Sequence, residues 1–339
     1  MKTAFIGAGS WGTALANLVA QNGRHACLWD VDSKLIEALA RDRENTTYLP
    51  GLKFHEQVCV ANTPEACLHE AAFIVFAVPT QHFRTALTAA LSAAPEEAII
   101  VNVAKGIELG TLMTPSMIMN DIAPERRFAV VSGPSHAEEV AKGMPTTVTV
   151  ASADQKAAEA VQDVFMSGLF RVYTQSDVIG VELGGALKNI IALGAGLLDG
   201  MGYGDNTKAA LMTRGITEMA RLGVSMGADR ETFFGLAGIG DLIVTCTSLH
   251  SRNRRCGIMI GEGLPPEEAI ARVGMVVEGI PTAEAARDLA KKLGVEMPIT
   301  ESICRVVSGE VPPDVELAAL MSRRKKHEQE DLLIDGRDR

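Results

Sequence analysis

Aromatic residues are scarce in this chain: Phe, Trp and Tyr make up 4% of its 339 residues. A core short of large rings must be filled by Ala, Gly, Leu and Val, a usage that suits helices and parallel strands better than a β-sandwich. Excess positive charge is also missing. Lys and Arg total 32 against 42 Asp and Glu, a formal net charge of −10, which argues against non-specific binding to nucleic acid or anionic membrane. The six cysteines (Cys27, Cys59, Cys67, Cys246, Cys256 and Cys304) form no C-x-x-C pair, and the seven histidines show no metal-ligand spacing. They read as buried, reduced thiols of a cytoplasmic protein, with no metal site. Residues 1–7 are too short and glycine-rich for a signal peptide. The most apolar stretch, 178–198, is interrupted by Glu182 and Lys188. Its uncharged runs fall short of the roughly 20 residues a bilayer requires, so a buried helix is expected and no membrane span.

What is present is apolar substance for two cores: hydrophobic residues make up 47% of the chain, enough for two domains at this length. Through the first half, residues 3–6, 26–30, 73–78, 99–103, 128–131 and 146–150 read as strands. Between them, 10–21, 34–43, 81–93 and 136–142 read as helices. Continuous apolar runs are those of parallel strands covered on both faces, and their alternation with helices predicts a doubly wound sheet. Beyond Asp177 nearly everything reads as helix, broken at glycines in 200–204, 235–240 and 261–263. The expected fold is therefore α/β: an N-terminal Rossmann-like doubly wound sheet followed by an all-helical C-terminal domain. The division falls near Ser176, with a dinucleotide-binding domain over 1–176, a helical substrate and catalytic domain over 177–326, and a frayed, charged tail over 327–339.

Gly7-Ala8-Gly9-Ser10-Trp11-Gly12 fits G-x-G-x-x-G directly after a strand and at the opening of a helix, with an acid, Asp30, ending the second strand. The three glycines are suited to different ends. Gly7 permits the tight turn, Gly9 lets the backbone approach a pyrophosphate, and Gly12 lets helix and strand pack closely. The pyrophosphate would meet free N–H groups at the positive end of the helix. Asp30 suits the ribose hydroxyls, and a 2′-phosphate there would face like charge from Asp30 and Asp32. NAD(H) is thus expected over NADP(H).

Four further segments carry chemistry. Lys188 lies in the apolar, glycine-rich stretch 181–191. Its ammonium either reaches a cleft, where desolvation tunes it for proton transfer, or snorkels to the surface. Gly238-Ile239-Gly240-Asp241 presents an acid from a tight glycine turn, either toward that lysine or as a helix cap. Ser251-Arg252-Asn253-Arg254-Arg255 concentrates phosphate-binding donors in an acidic chain, the alternative being a solvated basic patch. Ala104-Lys105-Gly106 and Gly133-Pro134-Ser135-His136 each follow a strand, where ligands collect in an open sheet.

These pieces, together with Ser132 to Glu139, Gly184-Gly185-Ala186-Leu187-Lys188-Asn189 and Val276-Val277-Glu278-Gly279, resemble the soluble NAD(P)-dependent glycerol-3-phosphate dehydrogenases over almost the whole chain. The resemblance implies reversible interconversion of sn-glycerol 3-phosphate and dihydroxyacetone phosphate, with Lys188 transferring the proton. It implies that Lys105, Gly133, Ser135, Lys188, Asp241, Ser251, Arg252 and Asn253 surround the small phosphorylated substrate. It also implies cofactor contacts from Ser10, Trp11, Lys105, Ala137, Arg252, Val276 and Glu278, beside Gly7, Gly9, Gly12 and Asp30 read above. A role in supplying glycerophospholipid synthesis follows by analogy, and a homodimer is compatible with the chain. Two departures stand out. The family often has a basic residue or histidine after the second strand, where this chain has Asp30-Val31-Asp32. Ile280-Pro281 follows Glu278-Gly279, where a polar or basic residue is expected. Two other readings stay open at this point: a related dehydrogenase for another acidic or phosphorylated hydroxy compound, and a catalytically silent NAD(H) sensor.

Overall fold

The computed structural model describes residues 1–325; the charged segment 327–339 lies outside the described residues. The first half runs β1 (Lys2–Ile6), α1 (Ser10–Gln21), β2 (His25–Trp29), α2 (Ser33–Asp42), β3 (Val58–Val60), α3 (Pro64–Leu68), β4 (Ala71–Phe76) and α4 (Thr80–Leu91). It continues β5 (Ile99–Asn102), α5 (Pro115–Ile122), β6 (Phe128–Ser132), α6 (Ala137–Ala141), β7 (Thr146–Ala151), α7 (Gln155–Phe165) and β8 (Phe170–Gln175). All eight strands join one sheet in the order β3-β2-β1-β4-β5-β6-β7-β8. From β1 the chain winds out to β3, then crosses back to β4 on the other side of β1. This reversal opens a crevice beyond the carboxyl ends of β1 and β4, the switch point where open α/β sheets bind ligands.

Alternation along each strand feeds two cores. Phe5, Val75 and Val101 join the cluster on one face. Ala4, Ile6, Ile74, Phe76 and Ile100 join the cluster on the other. Both faces are covered, as the period of two in a doubly wound sheet requires. One expectation is corrected: β7 is not parallel to its neighbour. It pairs antiparallel with β6, and β8 pairs parallel with β7, so the last two strands run against the other six. Only the five-residue α6 separates β6 from β7, and the antiparallel pairing lets the chain return beside β6 without crossing a face of the sheet.

The second half is helical: α8 (Val178–Gly200), α9 (Asp205–Ser225), α10 (Asp241–Thr247), α11 (Arg252–Gly261), α12 (Pro266–Val273), α13 (Gly279–Leu293), α14 (Pro298–Val307) and α15 (Pro313–Met321). Helix α8 is long and apolar enough to cross a membrane, but it is buried inside the protein, with every residue from Gly180 to Leu198 enclosed. It is the axis of this half. Gly196 and Gly200 meet Gly257 and Gly261 of α11 so closely that a Cβ on Gly196 would fall 2.1 Å from the carbonyl oxygen of Arg254. Backbone touches backbone there, as in small-xxx-small helix pairs. The expected tight turn at 235–240 is instead a 3₁₀ turn (Arg230–Phe234) followed by a π-helical turn (Leu236–Gly240) that runs into α10. Pro281 sits in the first turn of α13, where its missing N–H costs no intrahelical bond. Five cysteines are buried as expected; Cys59, on β3, is exposed.

Candidate active site

The glycine loop behaves as its residue types dictate. Gly7 has φ +107°, and a Cβ there would lie 2.7 Å from the carbonyl oxygen of Ala77. A Cβ on Gly12 would fall 2.0 Å from the Gly7 carbonyl oxygen. At Gly9, which precedes α1 without any side-chain cap, a Cβ would meet nothing within 4 Å. The space above the loop is open where the first-turn N–H groups lack helical partners, and half-buried Ser10 and Trp11 border it. These features fit a dinucleotide pyrophosphate.

Asp30, the residue after β2, holds this loop: its carboxylate accepts from Ala8 N at 2.7 Å and from Asp32 N at 3.1 Å. Asp32, not Asp30, caps α2, accepting from Lys34 N and Leu35 N. Beside Asp30 lies a cleft of about 470 Å³ lined by Trp29, Asp30, Val31, Ser33, Ile36, Glu37, Asn62, Thr63, Pro64 and Glu65. Three of these are acids and none is basic.

At the far end of the crevice, two lysines meet one carboxylate. Lys105, after β5, donates to Asp241 Oδ2 at 2.6 Å and to the Gly133 carbonyl oxygen at 3.1 Å. Lys188, on α8, donates to Asp241 Oδ1 and, at 2.7 Å, to Thr245 Oγ1. Thr245 in turn donates to the backbone oxygen of Asp241. Ser135 Oγ joins the cluster by donating to the Gly133 oxygen at 2.9 Å. Burial pushes Lys188 down to about 7, against the pull of Asp241 and with help from Lys105. Asp241 is 1% exposed; burial would raise its pKa, but the two ammonium groups hold it below the usual carboxylate range. Neither alternative reading of these residues survives: Lys188 does not snorkel, and Asp241 is not a cap. Gly185 explains the close approach of α8, because a Cβ there would fall 2.6 Å from Ser132 Oγ and 3.3 Å from Lys105 Cγ.

The arginine run divides into three fates. Arg254 is tied to Asp199 at 2.7 Å and to the Thr247 carbonyl oxygen at 3.0 Å, and Arg255 is exposed. Arg252 makes no hydrogen bond or ion pair among the described residues. Burial lowers its pKa, and Glu278 and Glu138 oppose that shift. Ser251 caps α11, accepting from Arg254 N at 3.2 Å. Asn253 spans three helices: it donates to Asn189 Oδ1 and accepts from Gly279 N, both at 2.9 Å. Burial lifts Glu278 to about 7, and its Oε2 has no partner. Ala137 opens α6 and is buried, whereas Val276 is 47% exposed.

Several site neighbours carry little or no signal in the sequence. Thr245 stands four residues after Asp241, a spacing that places both on one helix face and could have flagged it. Asn189 carries no such signal. His136 has an unpartnered, buried Nε2, and its pKa is lowered by burial and by Lys188.

A phosphate-accommodating glycine loop at a sheet switch point, in a chain that also buries a lysine near neutrality, defines a dinucleotide-dependent dehydrogenase. Comparison with known proteins supplies the particular family. Residues 2–158 match the N-terminal model, and residues 177–318 the C-terminal model, of NAD-dependent glycerol-3-phosphate dehydrogenase. The chain belongs to this family, whose members interconvert sn-glycerol 3-phosphate and dihydroxyacetone phosphate with a nicotinamide cofactor. It is 51% identical over 336 residues to the NAD(P)⁺-dependent glycerol-3-phosphate dehydrogenase of Pelotomaculum thermopropionicum, covering 98% of this chain and 96% of that one. It is 52% identical over 327 residues to that of Moorella thermoacetica, covering 96% and 97%. The crystal structure of glycerol-3-phosphate dehydrogenase from Coxiella burnetii superposes with a TM-score of 0.92 at 36% identity, over 95% of this chain and 99% of that one.

Proposed function

We propose that, within the interconversion of sn-glycerol 3-phosphate and dihydroxyacetone phosphate, Lys188 transfers the proton and NAD(H) is the preferred cofactor. The observation that carries this reading is the meeting of Lys105 and Lys188 on the single buried carboxylate of Asp241. When bound, the nicotinamide supplies the two-electron exchange with the substrate carbon. Neutral Lys188 takes the hydroxyl proton in oxidation, and protonated Lys188 returns it in reduction; a pKa of about 7 serves both directions. Asp241 orients the two lysines, and Lys105 adds the second positive charge that steadies the substrate oxygen. Arg252, at the start of α11 and without a hydrogen bond or ion pair among the described residues, is suited to the phosphate, with the N-terminus of α11 behind it. Ser251 and Asn253, whose side chains are committed to capping and bridging, serve by holding that helix end in place. Residues 1–176 hold the dinucleotide in this reading, and the helices from Val178 onward bring the substrate to it.

The preference for NAD(H) rests on the cleft beside Asp30. A 2′-phosphate there would face Asp30, Glu37 and Glu65 with no lining cation, whereas ribose hydroxyls can donate to a carboxylate. The test follows NADH absorbance on adding dihydroxyacetone phosphate, then compares kcat/KM for NADH and NADPH at fixed salt. The expected result is rapid oxidation of NADH, weaker use of NADPH and very poor use of unphosphorylated dihydroxyacetone. Asp30→Gly with Val31→Arg should move the preference toward NADPH. A parent enzyme that favours NADPH would remove the ribose role of Asp30.

A further inference from the structure

Three cysteines converge at a place the reaction does not use. Cys27 on β2 and Cys59 on β3 are register partners in parallel strands. Partners of this kind point to the same face, and adjacent strands lie about 4.8 Å apart, within the roughly 4.4–6.8 Å Cα separation of a disulfide. Cys67 on α3 closes the group from a third side, its thiol donating to the Cys27 carbonyl oxygen at 3.3 Å. The Cys27 thiol interacts with those of both Cys67 and Cys59. Cys27 and Cys67 are buried and Cys59 is exposed, so Cys59 is the point of entry. The same elements build the acidic cleft: Trp29 ends β2, Asn62 follows β3, and Thr63, Pro64 and Glu65 lead into and open α3. Among the described residues no group of His, Cys, Asp and Glu is disposed to hold a metal ion, and the chemistry these three side chains share is that of the thiol.

We propose that Cys27 and Cys59 are a redox-active dithiol that a peroxide converts to a disulfide, and that the cross-link weakens dinucleotide binding at the cleft. The Cys59 thiolate attacks one peroxide oxygen; the O–O bond breaks, and the departing hydroxide is protonated to water. The Cys27 sulfur then attacks the resulting sulfenic sulfur and expels a second water. Two thiols are oxidised to one disulfide, and one hydrogen peroxide is reduced to two waters. Though its outer edge is open to solvent, the Cys59 thiol is partly desolvated against the strand and lies beside the Cys27 thiol, which together lift it to about 11, so at neutral pH it is almost wholly the unreactive thiol. The modification is therefore slow near pH 7 and accelerates about tenfold per pH unit until the thiolate dominates. In a reducing compartment such a bond is transient and regulatory.

The test treats the full-length enzyme with hydrogen peroxide at pH 8 and pH 9, followed by intact mass, non-reducing peptide mapping and NADH titration by fluorescence. The expected outcome is loss of about 2 Da, a linked peptide pair containing Cys27 and Cys59, and formation about ten times faster at the higher pH. The dissociation constant for NADH should rise several-fold and return with dithiothreitol. Cys59→Ser, at an exposed position, should show neither the cross-link nor the reversible change. A Cys27–Cys67 link with Cys59 free, or Cys59 over-oxidised with Cys27 still a thiol, would overturn the dithiol. The effect on NADH rests on the cleft being the adenosine site, whereas the cross-link does not. A formed disulfide with unchanged NADH affinity would therefore refute only the coupling to that site.

Discussion

Asp241→Asn preserves the shape of the Asp241 side chain and removes its charge, leaving buried Lys188 and half-buried Lys105 beside each other without a counterion. Two unit charges about 4 Å apart attract by roughly 4 kcal/mol at an effective dielectric of about 20, and about 1.4 kcal/mol moves a pKa by one unit. Losing Asp241 should therefore lower Lys188, already near 7, by about three units more. In the parent, kcat/KM for dihydroxyacetone phosphate should be level below pH 7 and fall tenfold per unit above it, because reduction consumes protonated Lys188. Oxidation of glycerol 3-phosphate should mirror this, rising to pH 7 and levelling beyond. In the variant at pH 8 the protonated fraction drops about a thousandfold. The stronger acid recovers part of the loss, leaving kcat/KM down about 10²–10³-fold. The same factor must appear in both directions, since the overall equilibrium constant fixes the ratio of the two kcat/KM values. The assay is a pH–rate profile from NADH absorbance between pH 5 and 10, with circular dichroism to verify folding. A folded variant that keeps the limb near pH 7 and near-normal kcat/KM would refute the proposed coupling of Asp241 to Lys188.

Lys188→Met should lower kcat by roughly 10²–10⁴-fold while matching or exceeding the parent in Tm at pH 7, because Asp241 keeps Lys105. A lysine with a folded pKa near 7 and an unfolded value near 10.4 destabilises most below pH 7 and not at all above about pH 10.4. The Tm advantage of the variant should fade over that window, and a variant melting well below the parent at pH 6 would contradict the burial cost. Arg252→Ala should cost about 2–5 kcal/mol in kcat/KM for the phosphorylated substrate at unchanged Tm. Arg254→Ala should do the reverse, lowering Tm with little change in KM; equal kinetic losses in both would erase the distinction between a ligand and a strut. Gly196→Ala should destabilise by about 1–3 kcal/mol or more in urea unfolding, because the new methyl has no space before the Arg254 carbonyl. An unchanged midpoint would mean that α8 and α11 are not in backbone contact.

Much of the sheet was legible because β1, β2, β4, β5 and β6 are mainly apolar runs with their loops at the expected ends, and β7 sets threonines among its valines. β3 has three residues, too few for a pattern, and β8 alternates buried Phe170 and Val172 with exposed Arg171 and Tyr173, a half-solvated edge strand. An apolar run carries no direction, so the reversal of β7 could not be read from composition. At the site, the residue types of Lys188, Asp241 and Lys105 were recognisable, but their convergence depends on a π-helical turn that the glycines of 235–240 permit without announcing. Arg252 and Arg254 are indistinguishable in sequence. What separates them is Asp199, far off in the chain, which pairs with Arg254 and not with Arg252.

Helix α8 carries Lys188, yet it contains six glycines, each about 1 kcal/mol poorer than alanine as a helix former. Its shape is lent to it by α11 and α13, which are made later in the chain. On the ribosome, the segment Val178–Gly200 must therefore emerge before Arg252–Gly261 and Gly279–Leu293 exist to enclose it. For that interval the face they cover is an exposed apolar surface, as open to chaperones and to self-association as to its proper neighbours. The close backbone packing of α8 on α11 thus makes the birth of the chain dependent on shelter, and slower translation between α8 and α11 would lengthen the exposure.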